Sequence, residues 1–199
     1  MFIQIIQGKT NDKAGLTRQN DRWEQELKPG AKGYLGMTGG VAEDGTAIFL
    51  ARFESEAAAN ANSQRPEQSA WWNETAKYFD GEPAFRNCSE VDVTQIGDLD
   101  SAGFAQVMQG TCSDPARLRA LDKKLIPELQ KIRPDVLGSV RAWDGNDFTE
   151  VVYFASEAAA RDGERKMNEA EPPAELEEYM ALSGEMSFLD LKEPWVESP

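Results

Sequence analysis

The chain has 199 residues, of which 40% are hydrophobic and 9% aromatic, so it can fill a core and is not a disordered chain. Its formal net charge of -14 repels phosphate backbones and anionic lipid surfaces, which disfavours nucleic acid and membrane as partners. Histidine is absent, which removes Ser-His-Asp catalysis, haem held by histidine and the usual zinc and iron sites. We therefore expect no metal and no cofactor.

The N-terminal segment and the cysteines indicate the compartment. MFIQIIQGKT has neither the basic start of a signal peptide nor the length of a membrane-spanning helix, so we expect a cytoplasmic protein. Cys88 and Cys112 form no CxxC motif and no metal-ligand spacing. Buried reduced thiols are the favoured interpretation, and a structural disulfide is the alternative.

The two halves of the chain repeat each other. FIQIIQG at residues 2–8 returns as FAQVMQG at 104–110, an offset of 104 − 2 = 102. RFESEAAAN at 52–60 returns as YFASEAAAR at 153–161, and its shared Phe gives an offset of 154 − 53 = 101. A duplication with one residue lost in between predicts two half-chains of one design.

Each half predicts the order strand, helix, strand, strand, helix, strand. An apolar run at residues 2–7 is typical of a buried strand, and the leucines that follow Leu118 at spacings of three and four predict an amphipathic helix. The turn sequences EDGT and DGND join the next two strands. Ser55 and Ser156 can cap the second helix, which Pro66 breaks in the first half.

This order predicts the α+β class and the ferredoxin-like β-α-β-β-α-β plan, in which helices cover one face of an antiparallel sheet. The other face would be bare in a single repeat, so we expect the two sheets to pack as one intramolecular barrel. A protein that buries its sheets in this way need not dimerise, and we expect a monomer with a higher oligomer left open. The predicted segments are the N-terminal repeat 1–95, the linker 96–103, the C-terminal repeat 104–191 and the tail 192–199.

The chain also resembles a known family. A strand, the phrase RFESEAAAN, a helix broken within SQRPEQSAWW and a closing strand are similar to the antibiotic-biosynthesis-monooxygenase-like dimeric α+β barrels, here fused in tandem as in the actinobacterial type. The resemblance covers residues 2–191. It implies a cofactor-independent monooxygenase acting on a phenolic or quinol-like compound, so a small aromatic ligand is the expected partner. A non-catalytic binding or scaffold protein is the alternative, because the family includes members without known activity.

The two copies differ most after the second helix begins. NANSQRPEQSAWWNE at residues 60–74 is rich in amides and holds a Trp pair, whereas RDGERKMNEAEPPAE at 161–175 is charged and has no aromatic residue. Amides beside indole rings can orient a planar polar molecule, so we expect a single pocket in the N-terminal half, with no catalytic residue assigned. The candidate ligand-binding residues are Trp23, Arg52, Asn60, Asn62, Trp71 and Trp72.

Two of these candidates belong to the first copy alone, because Tyr153 stands at the position of Arg52 and Leu125 at that of Trp23. The resemblance implies that Arg52 stabilises a developing oxyanion. A competing interpretation is that the tryptophans pack the core and that Arg52 pairs with a surface carboxylate.

Overall fold

The computed structural model describes residues 1–198 and shows two repeats of one α+β plan. The elements of the first repeat and its extension are β1 (Phe2–Lys9), α1 (Lys13–Arg22), β2 (Tyr34–Val41), β3 (Thr46–Phe53), α2 (Glu56–Ser63), α3 (Pro66–Thr75), β4 (Ala84–Cys88) and β5 (Glu90–Gln95). Those of the second repeat and its extension are β6 (Phe104–Cys112), α4 (Pro115–Ile132), β7 (Val136–Asp144), β8 (Asp147–Phe154), α5 (Glu157–Glu169), α6 (Ala174–Leu182), β9 (Ser183–Leu191) and β10 (Trp195–Glu197). The predicted tandem ferredoxin-like repeats are confirmed, and their packing as one barrel stays a prediction.

Each repeat forms a five-stranded sheet, with strand orders β10-β2-β3-β1-β4 and β5-β7-β8-β6-β9. The fifth strand of each sheet follows the other repeat in sequence: β5 comes directly after β4 but joins β7, and β10 comes after β9 but joins β2. The chain accordingly forms two compact units, an N-terminal unit of residues 1–91 with the segment from Pro194 onward, and a C-terminal unit, Asp92–Glu193.

These units differ from the predicted segments at two places. The end of the predicted repeat 1–95 forms two strands, β4 and β5, that belong to different sheets, and the predicted tail 192–199 holds β10. The partner of an edge strand is set by tertiary contacts, which the internal repeat does not encode.

The repeated phrase is a junction between strand and helix, as predicted. Ser55 Oγ accepts from the Ala58 amide and Ser156 Oγ accepts from the Ala159 amide, both at 3.2 Å, so each serine caps its helix. Gly36 and Gly138, 102 residues apart, lie at equivalent bulges with φ of 117° and 151°, backbone conformations that favour glycine.

The packing of helices onto the sheet creates the space in which a ligand could bind. In the N-terminal unit, a cluster rich in aromatic residues joins Trp23 of the first helical segment to Tyr34, Phe49 and Phe53 of the sheet. Cys88 and Cys112 are both buried, as expected of small apolar side chains. Among residues 1–198, no helix is both long and apolar enough to cross a membrane.

Candidate ligand-binding site

The N-terminal unit contains a small cavity between its sheet and its helices. Its volume is about 70 Å³, well below the roughly 300 Å³ at which pockets for drug-sized ligands begin. Four of the six candidates line it, namely Trp23, Asn62, Trp71 and Trp72.

The polar atoms of these candidates are largely engaged within the protein. Trp23 Nε1 donates to Gln68 Oε1 at 2.8 Å, and Trp71 Nε1 donates to the Gln19 carbonyl at 2.9 Å. The rings also pack on one another, with centroids 6.5 Å apart for Trp23 and Trp71. This region is therefore mostly filled by its own side chains, which favours the packing interpretation of the tryptophans.

The other two candidates, Arg52 and Asn60, lie outside this cavity. Ala51 and Phe53 both line it, and because successive residues of a strand point to opposite faces, Arg52 is directed away. Arg52 as a whole residue is 8% exposed, and its Nη2 donates to the Glu197 carbonyl at 3.0 Å. Arg52 therefore does not join the tryptophans in one pocket and is no surface residue either. Asn60 is exposed on α2.

The C-terminal unit contains a larger cavity, which the expectation of one pocket in the N-terminal half did not include. Its volume is about 300 Å³, and strands β5 to β9 and helices α4 to α6 contribute to its walls. The walls are largely apolar and hold four of the six methionines of the chain. The apolar wall residues include Leu125, Ile126, Leu129, Phe148, Val152 and Phe154, with Met108, Met167, Met180 and Met186.

Four residues, which we call the polar cluster, lie together on one part of this largely apolar wall: Asp122, Arg141, Glu150 and Tyr179. Arg141 is 5% exposed, and its Nε and Nη2 donate to Glu150 Oε2 at 2.9 and 2.8 Å. Its Nη1 donates to Asp122 Oδ2 at 2.6 Å, and Nη2 also donates to Tyr179 Oη at 2.9 Å. These hydrogen bonds use four of the five N–H groups of a guanidinium.

The electrostatics of the polar cluster favour a proton acceptor at Asp122. Burial raises the pKa of this carboxyl, Arg141 lowers it, and the charges of Glu150 and Asp92 raise it further, so that it ends above the ordinary value of 3.8. Burial opposes the charge of Arg141, but Glu150, Tyr179 and Asp122 outweigh it and raise the pKa of the guanidinium. Arg141 is therefore a permanent cation between two acids.

Four hydrogen-bonding positions of the polar cluster remain for a ligand. Within residues 1–198 no partner binds Asp122 Oδ1, Glu150 Oε1, the hydroxyl hydrogen of Tyr179 or one N–H of Arg141 Nη1. Burial raises the pKa of Tyr179, with Arg141 acting against the shift and Glu150 supporting it, so its hydroxyl stays a donor. The cluster can thus both accept a hydrogen bond and donate one within a small volume.

A fifth polar residue, Asp92 of β5, supports this wall from the segment that follows the first repeat. Its Oδ2 accepts from Arg119 Nε at 2.8 Å and from Trp143 Nε1 at 2.6 Å. Thr94 and Ile96 of the same segment also line the cavity. A C-terminal repeat of residues 104–191 alone would lack this wall.

The sequence holds a signal for this site that the repeat alignment could have revealed. Arg141 occurs where the first repeat has Gly39, and Glu150 occurs where it has Phe49, in strands at equivalent places of the two repeats. A charged pair on adjacent strands of a predicted buried sheet indicates a paired internal site. In the part of the chain that the structure describes, no group of three or more His, Cys, Asp or Glu side chains could hold a metal ion.

No protein-family model and no curated protein sequence matches this chain. Solved structures do resemble it over nearly its full length. A candidate monooxygenase of Fusobacterium nucleatum has a TM-score of 0.73 at 8% identity and covers 99% of this chain and 94% of its own. A candidate monooxygenase of Lactobacillus acidophilus has a TM-score of 0.67 at 13% identity and covers 99% of both chains.

An anthrone oxidase-like protein has a TM-score of 0.65 at 9% identity, over 99% of this chain and 92% of its own. The predicted resemblance to monooxygenase-like proteins is therefore confirmed in the fold. Identities this low establish a shared fold only, so an activity has to be inferred from the residues of the site.

Proposed function

We propose that the protein binds a small hydroxyaromatic molecule in the C-terminal cavity, with the hydroxyl group at the polar cluster and the rings against the apolar walls. The observation that carries this proposal is a set of four mutually hydrogen-bonded polar side chains in a largely apolar cavity of about 300 Å³. Apolar pockets with few convergent polar groups are the usual form of small-molecule sites.

The charges of the polar cluster favour a neutral hydroxyl over an anion. One guanidinium faces the two carboxyl groups of Glu150 and Asp122. A carboxylate or phosphate ligand would therefore add negative charge to a cluster in which acidic groups already outnumber basic ones. A phenolic hydroxyl can instead donate to Asp122 Oδ1 while its oxygen accepts from Tyr179 or Arg141.

The methionines favour an aromatic body for this ligand. Thioether side chains are flexible and polarisable, and they make favourable contacts with aromatic rings. Four of them around one cavity can therefore adapt to planar rings of different size.

Catalysis is the second candidate function, favoured by the raised pKa of Asp122 in the cavity. A carboxylate of raised pKa is suited to remove the proton of a phenolic hydroxyl, and Arg141 would stabilise the phenolate. Dioxygen would then oxidise the electron-rich ring: the hydroxyl proton and one ring hydrogen leave with one oxygen atom as water, and the other oxygen becomes a quinone carbonyl. The names of the similar structures, monooxygenase and anthrone oxidase-like, are compatible with this chemistry.

Calorimetric titration with 1-naphthol tests binding. We expect one site per chain and roughly 10-fold weaker binding of the methyl ether, because the ether cannot donate to Asp122. Tyr179→Phe should weaken 1-naphthol binding, whereas Tyr78→Phe, the equivalent change in the first repeat, should not. Equal affinity for the naphthol and its ether, or a loss only in Tyr78→Phe, would contradict the proposal.

Oxygen uptake with a naphthohydroquinone separates catalysis from binding. Catalysis predicts oxygen uptake above the rate without protein, and Asp122→Asn should abolish this uptake even at naphthohydroquinone concentrations that saturate the weakened site. If the protein binds 1-naphthol but oxygen is consumed no faster than without protein, the non-catalytic function is established instead.

A further inference from the structure

The C-terminal strand β10 pairs with the edge of β2 through three residues. Trp195 pairs with Gly39, Val196 with Thr38 and Glu197 with Met37. Strands that bind in this way obtain affinity from the backbone and specificity from alternate side chains. Here the alternate side chains are those of Trp195 and Glu197.

Trp195 binds to an aromatic surface that the sequence of β2 leaves open. Its indole stacks on Phe49, with ring centroids 5.4 Å apart and an angle of 28° between the planes. A Cβ atom at Gly39 would lie 3.3 Å from the indole and 2.9 Å from the Ile48 carbonyl oxygen. The absence of a side chain at this position therefore makes room for the ring.

Glu197 binds in a polar recess two residues further on. Its Oε1 accepts from Asn20 Nδ2 at 2.8 Å and its Oε2 accepts from Tyr34 Oη at 3.4 Å. Its carbonyl oxygen accepts from Arg52 Nη2, the buried guanidinium that lies outside the N-terminal cavity. The residue is 8% exposed, so this recess recognises an acidic side chain and its backbone together.

We propose that the edge of β2 is a binding groove for an extended Trp-x-Glu segment, and that the C-terminal strand of a second copy of this chain can occupy it in place of the chain's own strand. A second copy supplies the same strand chemistry by identity. Only residues 192–194 connect β9 to β10, and Lys192 and Glu193 are exposed. A short connection of this kind favours exchange of a terminal element between copies.

Peptide binding to the full chain tests this groove. A fluorescent peptide of residues 192–198, KEPWVES, is titrated into wild type and into a full-length variant carrying Trp195→Ala and Glu197→Ala. We expect the variant to bind the peptide at least about 10-fold more tightly, because the tethered strand of wild type competes at high effective concentration. A peptide with Glu197→Ala should bind about 10-fold more weakly, and one with Val196→Thr should bind as before.

Equal binding by the variant and by wild type, or equal binding of the Glu197→Ala peptide, would overturn the proposal. If the double variant does not melt cooperatively, Trp195→Ala alone takes its place. Adding Gly39→Val to either variant obstructs the indole and must then abolish peptide binding; retained binding would also overturn the groove.

Discussion

The two repeats share one plan but use the space between sheet and helices differently. Equivalent positions hold Gly39 and Arg141 on the second strand, and Phe49 and Glu150 on the third. In the N-terminal unit Trp195 stacks on Phe49, and a cavity of only about 70 Å³ remains. In the C-terminal unit the charged pair borders about 300 Å³. Duplication thus permits one copy to be filled while the other keeps an open site.

The strands that extend each repeat show the same contrast. The strand β10 contributes Trp195 and Glu197, which contact the residues around the N-terminal cavity. The strand β5 contributes Asp92 and Thr94, which line the C-terminal cavity without filling it. The equivalent edge strands therefore have different roles: β10 packs beside the N-terminal cavity, and β5 forms part of the wall of the C-terminal cavity.

The largest expected effect comes from converting Arg141 to the residue of the first repeat. Arg141→Gly leaves Glu150 and Asp122 buried without their cation, which should cost about 3–5 kcal/mol of unfolding free energy. Adding Glu150→Phe, as in the first repeat, should recover part of this loss. Urea unfolding measures both, and a double variant no more stable than the single one would refute the account.

A shared core position should behave alike in the two units. Leu16 and Leu118 are equivalent and are 0% and 1% exposed. Changing either to Ala should cost roughly 3 kcal/mol, because each change leaves a cavity in a packed interior. Thermal or urea unfolding that shows a large loss in one unit and none in the other would indicate that the repeats do not share this packing.

The pH dependence of stability should reveal the difference between Asp122 and its counterpart Asn20. The pKa of Asp122 is raised in the folded state. Its contribution to the free energy of unfolding is therefore fully present at pH values below the ordinary pKa, and it is lost as the pH rises through the raised pKa. Asp122→Asn, which imitates the first repeat, should remove this loss. Urea unfolding across that pH range measures it, with Asp21→Asn, a change at an exposed helix position, as the control. Equal slopes in wild type and Asp122→Asn would contradict the assignment.

The smallest expected effect is the removal of one hydroxyl group. Tyr179→Phe deletes the acceptor of an Arg141 hydrogen bond and should cost about 1 kcal/mol in the unliganded protein. Tyr78→Phe should cost close to nothing, since Tyr78 Oη has no hydrogen bond within the described chain. Equal losses in chemical unfolding would show that the polar cluster has no special role.

The sequence predicts the fold because the duplication and the caps at Ser55 and Ser156 act locally. It does not predict where β5 and β10 pair, since an edge strand is chosen by its tertiary partner. The sequence does not distinguish a binding from a packing role for the N-terminal candidates, because amides and tryptophans signal packing as readily as binding. The direction of Arg52 could have been read from its place between Ala51 and Phe53, whose side chains face the helices.

The most direct test of the comparison fills each cavity in turn and measures 1-naphthol binding. Ser139 lines the C-terminal cavity, and Met37 lines the N-terminal cavity at the equivalent position. Ser139→Phe should weaken binding at least about 10-fold, and Met37→Phe should leave it within about 2-fold, since the affinity changes only where the ligand is displaced. Binding that survives Ser139→Phe and is lost in Met37→Phe would contradict the placement of the site.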